Sequence, residues 1–101
     1  MSETLLATLL AKAKTALRIS TTVFDEEISD IIQAGYLDLT TRGVIIEETD
    51  GSISPLVLRA LMTYVRLQFG DPQYPDRLKA SYVEQRGQLM ATTGFTDWGD
   101  E

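Results

Sequence analysis

The carboxylates Asp25, Glu26, Glu27 and Asp30 are the densest set of potentially reactive side chains in this sequence. Paired carboxylates can share a proton as acid and base, or hold a magnesium ion, provided that they face one another. Successive helix positions diverge by about 100°, so only Glu26–Asp30 and Glu27–Asp30 share a face. The start of a helix explains the same cluster without chemistry, because exposed N–H groups and the positive end of the helix dipole favour negative side chains there. A second acidic run, Ile46-Glu-Glu-Thr-Asp-Gly-Ser-Ile53, resembles half of a calcium-binding loop. Aligning Gly51 with the sharp turn of such a loop puts Ile46 and Val57 where it needs a carboxylate and a bidentate glutamate. No metal and no cofactor is expected.

The 101 residues contain no histidine, cysteine or asparagine. Serine-histidine triads, cysteine nucleophiles, disulfides and the usual zinc sites are thereby excluded. There is no glycine-rich phosphate loop. The Asp-Ser-Leu that a phosphopantetheine carrier needs is also missing, since Asp30 precedes Ile31 and Asp50 precedes Gly51. No catalytic residue is assigned, and the expected class is a binding or assembly protein rather than an enzyme.

The charge is uneven along the chain. Eight of the fifteen acidic residues fall within 21–50 against Arg42 alone, while residues 1–20 carry Lys12, Lys14 and Arg18 against Glu3, within a net of −6. An acidic surface repels phosphate, so tight wrapping of nucleic acid is not expected, although DNA could pass nearby without being gripped. No apolar run reaches the ~18 residues of a membrane span, and no signal peptide is evident, so a cytosolic origin with no membrane partner is expected.

Four helices are needed to position these charges. Residues 3–18 are amphipathic through Leu5, Leu6, Leu9, Leu10, Ala13 and Leu17, with Ser2 or Thr4 as cap. A second helix is expected from about Phe24 to Arg42, capped by Thr22, burying Ile28, Ile31, Ile32, Gly35 and Leu39 and stopping at Gly43. Gly35 costs about 1 kcal/mol of helix propensity, which a close helix crossing would justify. Residues 44–53 read as a short hairpin or extended loop with an Asp50-Gly51 turn. Ser54-Pro55 then caps a third helix to Phe69, whose stripe of Leu58, Leu61, Met62, Val65 and Phe69 is widened by Val57, Ala60, Tyr64 and Leu67. A helix apolar over so much of its circumference belongs at the centre. The last helix opens near Pro75 or Asp76 and runs to about Met90, with Leu78, Tyr82, Gln85 and Leu89 inward.

The expected fold is therefore all-α, a small bundle of four main helices over residues 1–91, followed by a flexible acidic and aromatic tail over 92–101. Tyr64, Phe69 and Tyr82 are expected in the core. Phe95 and Trp98 stand in a tail too polar to fold by itself, and either fold back over the domain or anchor another chain. Arginines on the last two helices and acids on the second make head-to-tail subunit contacts plausible. The candidate interface residues are Asp25, Glu26, Asp30, Arg59, Arg66, Arg77, Phe95 and Trp98.

The strings Leu10-AKAKTALRI-Ser20, Phe24-DEEISDIIQAGYLD-Leu39 and Ser54-PLVLRALMTYVRLQFGD-Pro72 resemble the head-tail connector, or head-completion adaptor, proteins of tailed bacteriophages and prophages. That family shows a K-x-x-L-R-I helix end, then F-D-D-E-I-x-D-L-I-x-A, then A-I-x-x-Y-V-x-x-x-F-G. The resemblance covers about residues 5–90. Gly35-Tyr36 departs from the small residues usual there, and the aromatic tail is longer. What the resemblance implies is a structural virion protein that forms a homo-oligomeric ring below the portal protein and meets a stopper or tail-completion protein. DNA would pass through its channel without sequence-specific binding. The implied location is the host cytoplasm during assembly, then the virion neck. A free acidic regulator or inhibitor of a basic protein is the alternative.

Overall fold

A computed structural model describes residues 1–47 and 52–91. It contains four helices in chain order, α1 (Glu3–Leu17), α2 (Asp25–Thr41), α3 (Pro55–Gln68) and α4 (Pro75–Ala91), and no strand among the described residues. The all-α bundle read from the sequence is the fold observed. The Asp50-Gly51 turn, Phe95 and Trp98 lie outside the described residues.

α3 is the central helix, packing against α1, α2 and α4. Its position follows from its composition, since Val57, Ala60, Leu61 and Val65 are all buried within the core. The expected stripe is rotated: Leu58, Met62 and Phe69 are only partly buried, and the line expected to widen it supplies half of the core contact. With partners on several sides, α3 buries the arc between them rather than its most apolar line. Thr63 is buried within that arc, and its hydroxyl donates to the Arg59 carbonyl at 3.0 Å, the partner a buried hydroxyl needs.

Leu5, Leu9 and Ala13 of α1, and Ile28, Ile32 and Leu39 of α2, complete the core with Tyr82 and Leu89 of α4. Gly35 lies where α2 crosses α3. A Cβ built there would sit 2.8 Å from Tyr64 Cδ2, 3.2 Å from Tyr64 Cγ and 3.3 Å from Leu61 Cδ2. The close crossing expected from a glycine in a buried stripe is present, and Tyr64 is what comes close.

The helix ends account for the connections. The Ser2 side chain accepts from the Leu5 N–H at 3.1 Å, and Ser54 accepts from Leu56 at 3.3 Å ahead of Pro55. Thr22 does not cap α2. The residue before that helix is Phe24, which makes no side-chain cap, and the Thr22 carbonyl instead accepts from the Asp25 N–H at 3.2 Å in a preceding turn. That turn leads directly into α2, so its free N–H groups are compensated by the acids of its first turn. At the other end, Gly43 has φ 85°, and the Gly43 and Val44 N–H groups return to the Thr40 and Leu39 carbonyls, as in a Schellman turn. Beyond it, Glu47 and Ile53 form one antiparallel bridge, and Tyr36 donates to Glu47 Oε2 at 3.0 Å, fastening this segment to α2.

Candidate functional site

Two grooves with opposite charge lie on different sides of α3. The larger encloses about 580 Å³ between α2 and α3 and is lined by Val23, Glu26, Glu27, Asp30, Ile31, Ala34, Tyr64 and Gln68. Its acids come from one turn of α2, where three- and four-residue spacing aligns Glu26 and Glu27 with Asp30. Ile31 and Tyr64 are partly buried and continue into the core, whereas Val23 is 77% exposed. The result is an apolar floor with an acidic rim. None of Glu26, Glu27 and Asp30 forms an ion pair among the described residues.

The second surface follows the seam of α3 and α4. One hollow of about 300 Å³ is lined by Arg59, Met62, Arg66 and residues of α1 and α4, and a neighbouring one of about 280 Å³ by Leu56, Arg59, Gln85, Gln88 and Leu89. Leu56, Arg59, Met62 and Arg66 recur at spacings of three and four, so they form one ridge along α3. Arg59 and Arg66 are exposed and, among the described residues, neither is paired with a carboxylate. Arg59 and Tyr64 are five positions apart, which rotates them about 140° around the helix. The basic ridge and the acidic groove therefore share α3 and point away from each other.

The remaining candidates are placed differently. Asp25 faces α1, where Lys14 Nζ lies 2.8 Å from its Oδ1 in an ion pair whose angles fall short of a hydrogen bond. Arg77 is exposed near the start of α4, with its guanidinium 5.0 Å from the centre of the Tyr74 ring. Among the described candidates, only Glu26 with Asp30, and Arg59 with Arg66, are brought together. Glu27, Tyr64 and Leu56 join these surfaces although they are not among the interface candidates; the sequence pairs Glu27 with Asp30 as a carboxylate and puts Tyr64 in the core, and the helical spacing from Arg59 already carries Leu56.

A third cluster has no local signature in the chain. Asp38 of α2 accepts from the Tyr82 hydroxyl at 2.6 Å and from Arg86 Nη1 at 3.0 Å on the same oxygen, while Arg42 Nε approaches its other oxygen at 3.4 Å. Arg86 also lies over the Tyr82 ring, 5.4 Å from its centre. Burial pushes the Tyr82 phenol well above its usual range, and the bond to the Asp38 carboxylate adds to the effect. Such a phenol stays protonated and donates, so the cluster fastens helices together rather than moving protons.

Among the described residues no group of three or more His, Cys, Asp or Glu is arranged to hold a metal ion. No helix there is long and apolar enough to cross a membrane. What this fold presents outward is a pair of unlike charged surfaces. The family described as phage connector protein matches residues 9–95, and the chain belongs to it. That membership supports a head-tail connector role in the phage particle, structural rather than enzymatic. No curated protein and no solved structure matches the chain significantly.

Proposed function

We propose that the protein assembles as a homo-oligomeric ring below the portal protein after DNA packaging, extends the channel, and gives the stopper or tail-completion protein its platform. It would be made and assembled in the host cytoplasm and end in the virion neck. The observation that carries this reading is the connector-family match over residues 9–95. The geometry is compatible with it, since a ring requires each subunit to present two different surfaces, and the groove and the ridge are different. A net charge of −6 disfavours phosphate binding, which suits a channel through which DNA slides without sequence-specific contact.

The experiment is to add the purified protein to DNA-filled, portal-bearing heads that lack their connector, and to follow head-bound protein and tail joining. Light scattering over a wide concentration range is run in parallel. Saturable binding that makes heads competent for tails, with ring-sized particles free or on heads, is the expected result. A protein that stays monomeric, ignores the heads and instead captures a basic protein would overturn it in favour of an acidic regulator.

A further inference from the structure

We propose that neighbouring copies meet head to tail, the α3 ridge of Leu56, Arg59, Met62 and Arg66 on one copy seating in the acidic α2–α3 groove of the next. This rests on the ring reading above. The charges are complementary, and among the described residues both sets lack a partner within the chain. Each surface also mixes charge with apolar area. Val23, Ile31 and Tyr64 line the groove, and Leu56 is 55% exposed on the ridge. An apolar centre with a polar rim is the usual anatomy of a protein interface.

Dimensions agree as well. Arg59 and Arg66 are separated by seven residues, about 10.5 Å along the helix, so both can bracket the shorter acidic turn of Glu26 to Asp30. A symmetric contact of groove on groove, or ridge on ridge, would oppose like charges and is disfavoured. Because the two surfaces lie on opposite sides of α3, engaging one leaves the other free for a further copy. That is the condition for a ring or an open filament instead of a closed dimer.

The test reverses each side separately and then combines them. Glu26→Arg with Asp30→Arg makes one variant, and Arg59→Glu with Arg66→Glu makes the other, all four positions being exposed. Circular dichroism melts establish that both fold. Sedimentation velocity on the wild type, on each variant and on their equimolar mixture then reads assembly, free and in the presence of portal-bearing heads. Each variant alone should associate at least about 100-fold more weakly than wild type, and the mixture should assemble again because its charges are complementary once more.

Variants that assemble like the wild type would overturn this interface and leave the ring standing. Loss in both variants without restoration in the mixture would also overturn it, placing those residues in some other contact. A wild type that never associates, even on heads, would remove the ring reading and the interface together. Binding of the wild type to a basic protein or to DNA in place of its own copies would likewise count against the proposal.

Discussion

Tyr82 on α4 donates its hydroxyl to Asp38 on α2 across 2.6 Å, joining two helices that both pack on α3 and hardly on each other. Arg86 reaches the same carboxylate oxygen at 3.0 Å. Tyr82 is 3% exposed, so removing its acceptor leaves a buried hydroxyl and a half-buried guanidinium without their charge-assisted bonds. Asp38→Ala should cost about 2 kcal/mol and Tyr82→Phe about 1.5 kcal/mol. The double variant should lose less than the two together, because both substitutions break the same bond. Urea unfolding of the four proteins measures this, and strictly additive losses would show that the bond contributes nothing to stability.

The same cluster sets a pH dependence. Burial pushes the Asp38 carboxyl up, but the hydrogen bonds from Tyr82 and Arg86 and the charges of Arg86 and Arg42 prevail, holding it below its ordinary value. A group whose pKa is lowered by folding stabilises the native state above its unfolded pKa, and that contribution disappears as the pH falls through the folded value. The stability difference between wild type and Asp38→Asn should therefore be flat from neutral pH down to about pH 4 and shrink below it. Tyr82 works in the opposite sense. Its folded pKa is raised, so its contribution is complete below about pH 10 and is lost as the pH rises through the folded value. Unfolding free energies across both ranges provide the check. A gap for Asp38→Asn that is already closing at about pH 6 would mean that another group titrates.

Gly35 tests the helix crossing. Alanine in its place gains about 1 kcal/mol of helix propensity, but the new Cβ would lie 2.8 Å from Tyr64 Cδ2 and 3.2 Å from Cγ. Cγ can move only by a change of χ1, which the Tyr82 ring packed 5.1 Å away opposes, so the helices must separate, at a typical overpacking cost of about 1–3 kcal/mol. Gly35→Ala should thus destabilise by about 1 kcal/mol in the wild type. On a Tyr64→Ala background the same change should become neutral or stabilising, since the ring is gone and the propensity gain remains. Thermal melts of this cycle decide, and an equal loss in both backgrounds would place the strain elsewhere.

Local signals made the helices legible. Ser2, Ser54-Pro55 and Gly43 are caps and stops that act through their own backbone neighbours, and all three lie where the sequence puts them. Thr22 misled because a threonine just before an acidic turn has the right chemistry, whereas its backbone had already turned one step earlier. The face of α3 was misjudged for a different reason. A helix apolar nearly all round carries no single period, and only its three neighbours decide which arc is covered. The Asp38–Tyr82–Arg86 cluster joins residues 44 and 48 positions apart, and no spacing rule spans that distance. For the surfaces, charge composition identified Glu26, Asp30, Arg59 and Arg66 as candidates. That the acids and the arginines sit on opposite sides of α3 required the packing of that helix.

Arg18 offers the last test, at the end of α1. It adopts φ 60° and ψ 43°, the left-handed conformation, while its N–H and that of Ile19 return to the Thr15 and Lys14 carbonyls. The turn is the one made by Gly43 after α2, but here a residue with a Cβ occupies the position that glycine fills there. Left-handed backbone costs a non-glycine residue about 1–2 kcal/mol, partly offset because glycine loses more freedom on folding. Arg18→Gly should therefore stabilise the domain by about 0.5–1 kcal/mol, raising its midpoint by several degrees, and Arg18→Val should destabilise it, since a β-branched side chain tolerates this conformation least. Arg18 makes no ion pair among the described residues, and a parallel Arg18→Gln separates the loss of a cation at the helix C-terminus from the backbone effect. Thermal melts should rank glycine above arginine above valine. The reverse order would mean that the turn in solution is not left-handed at this residue.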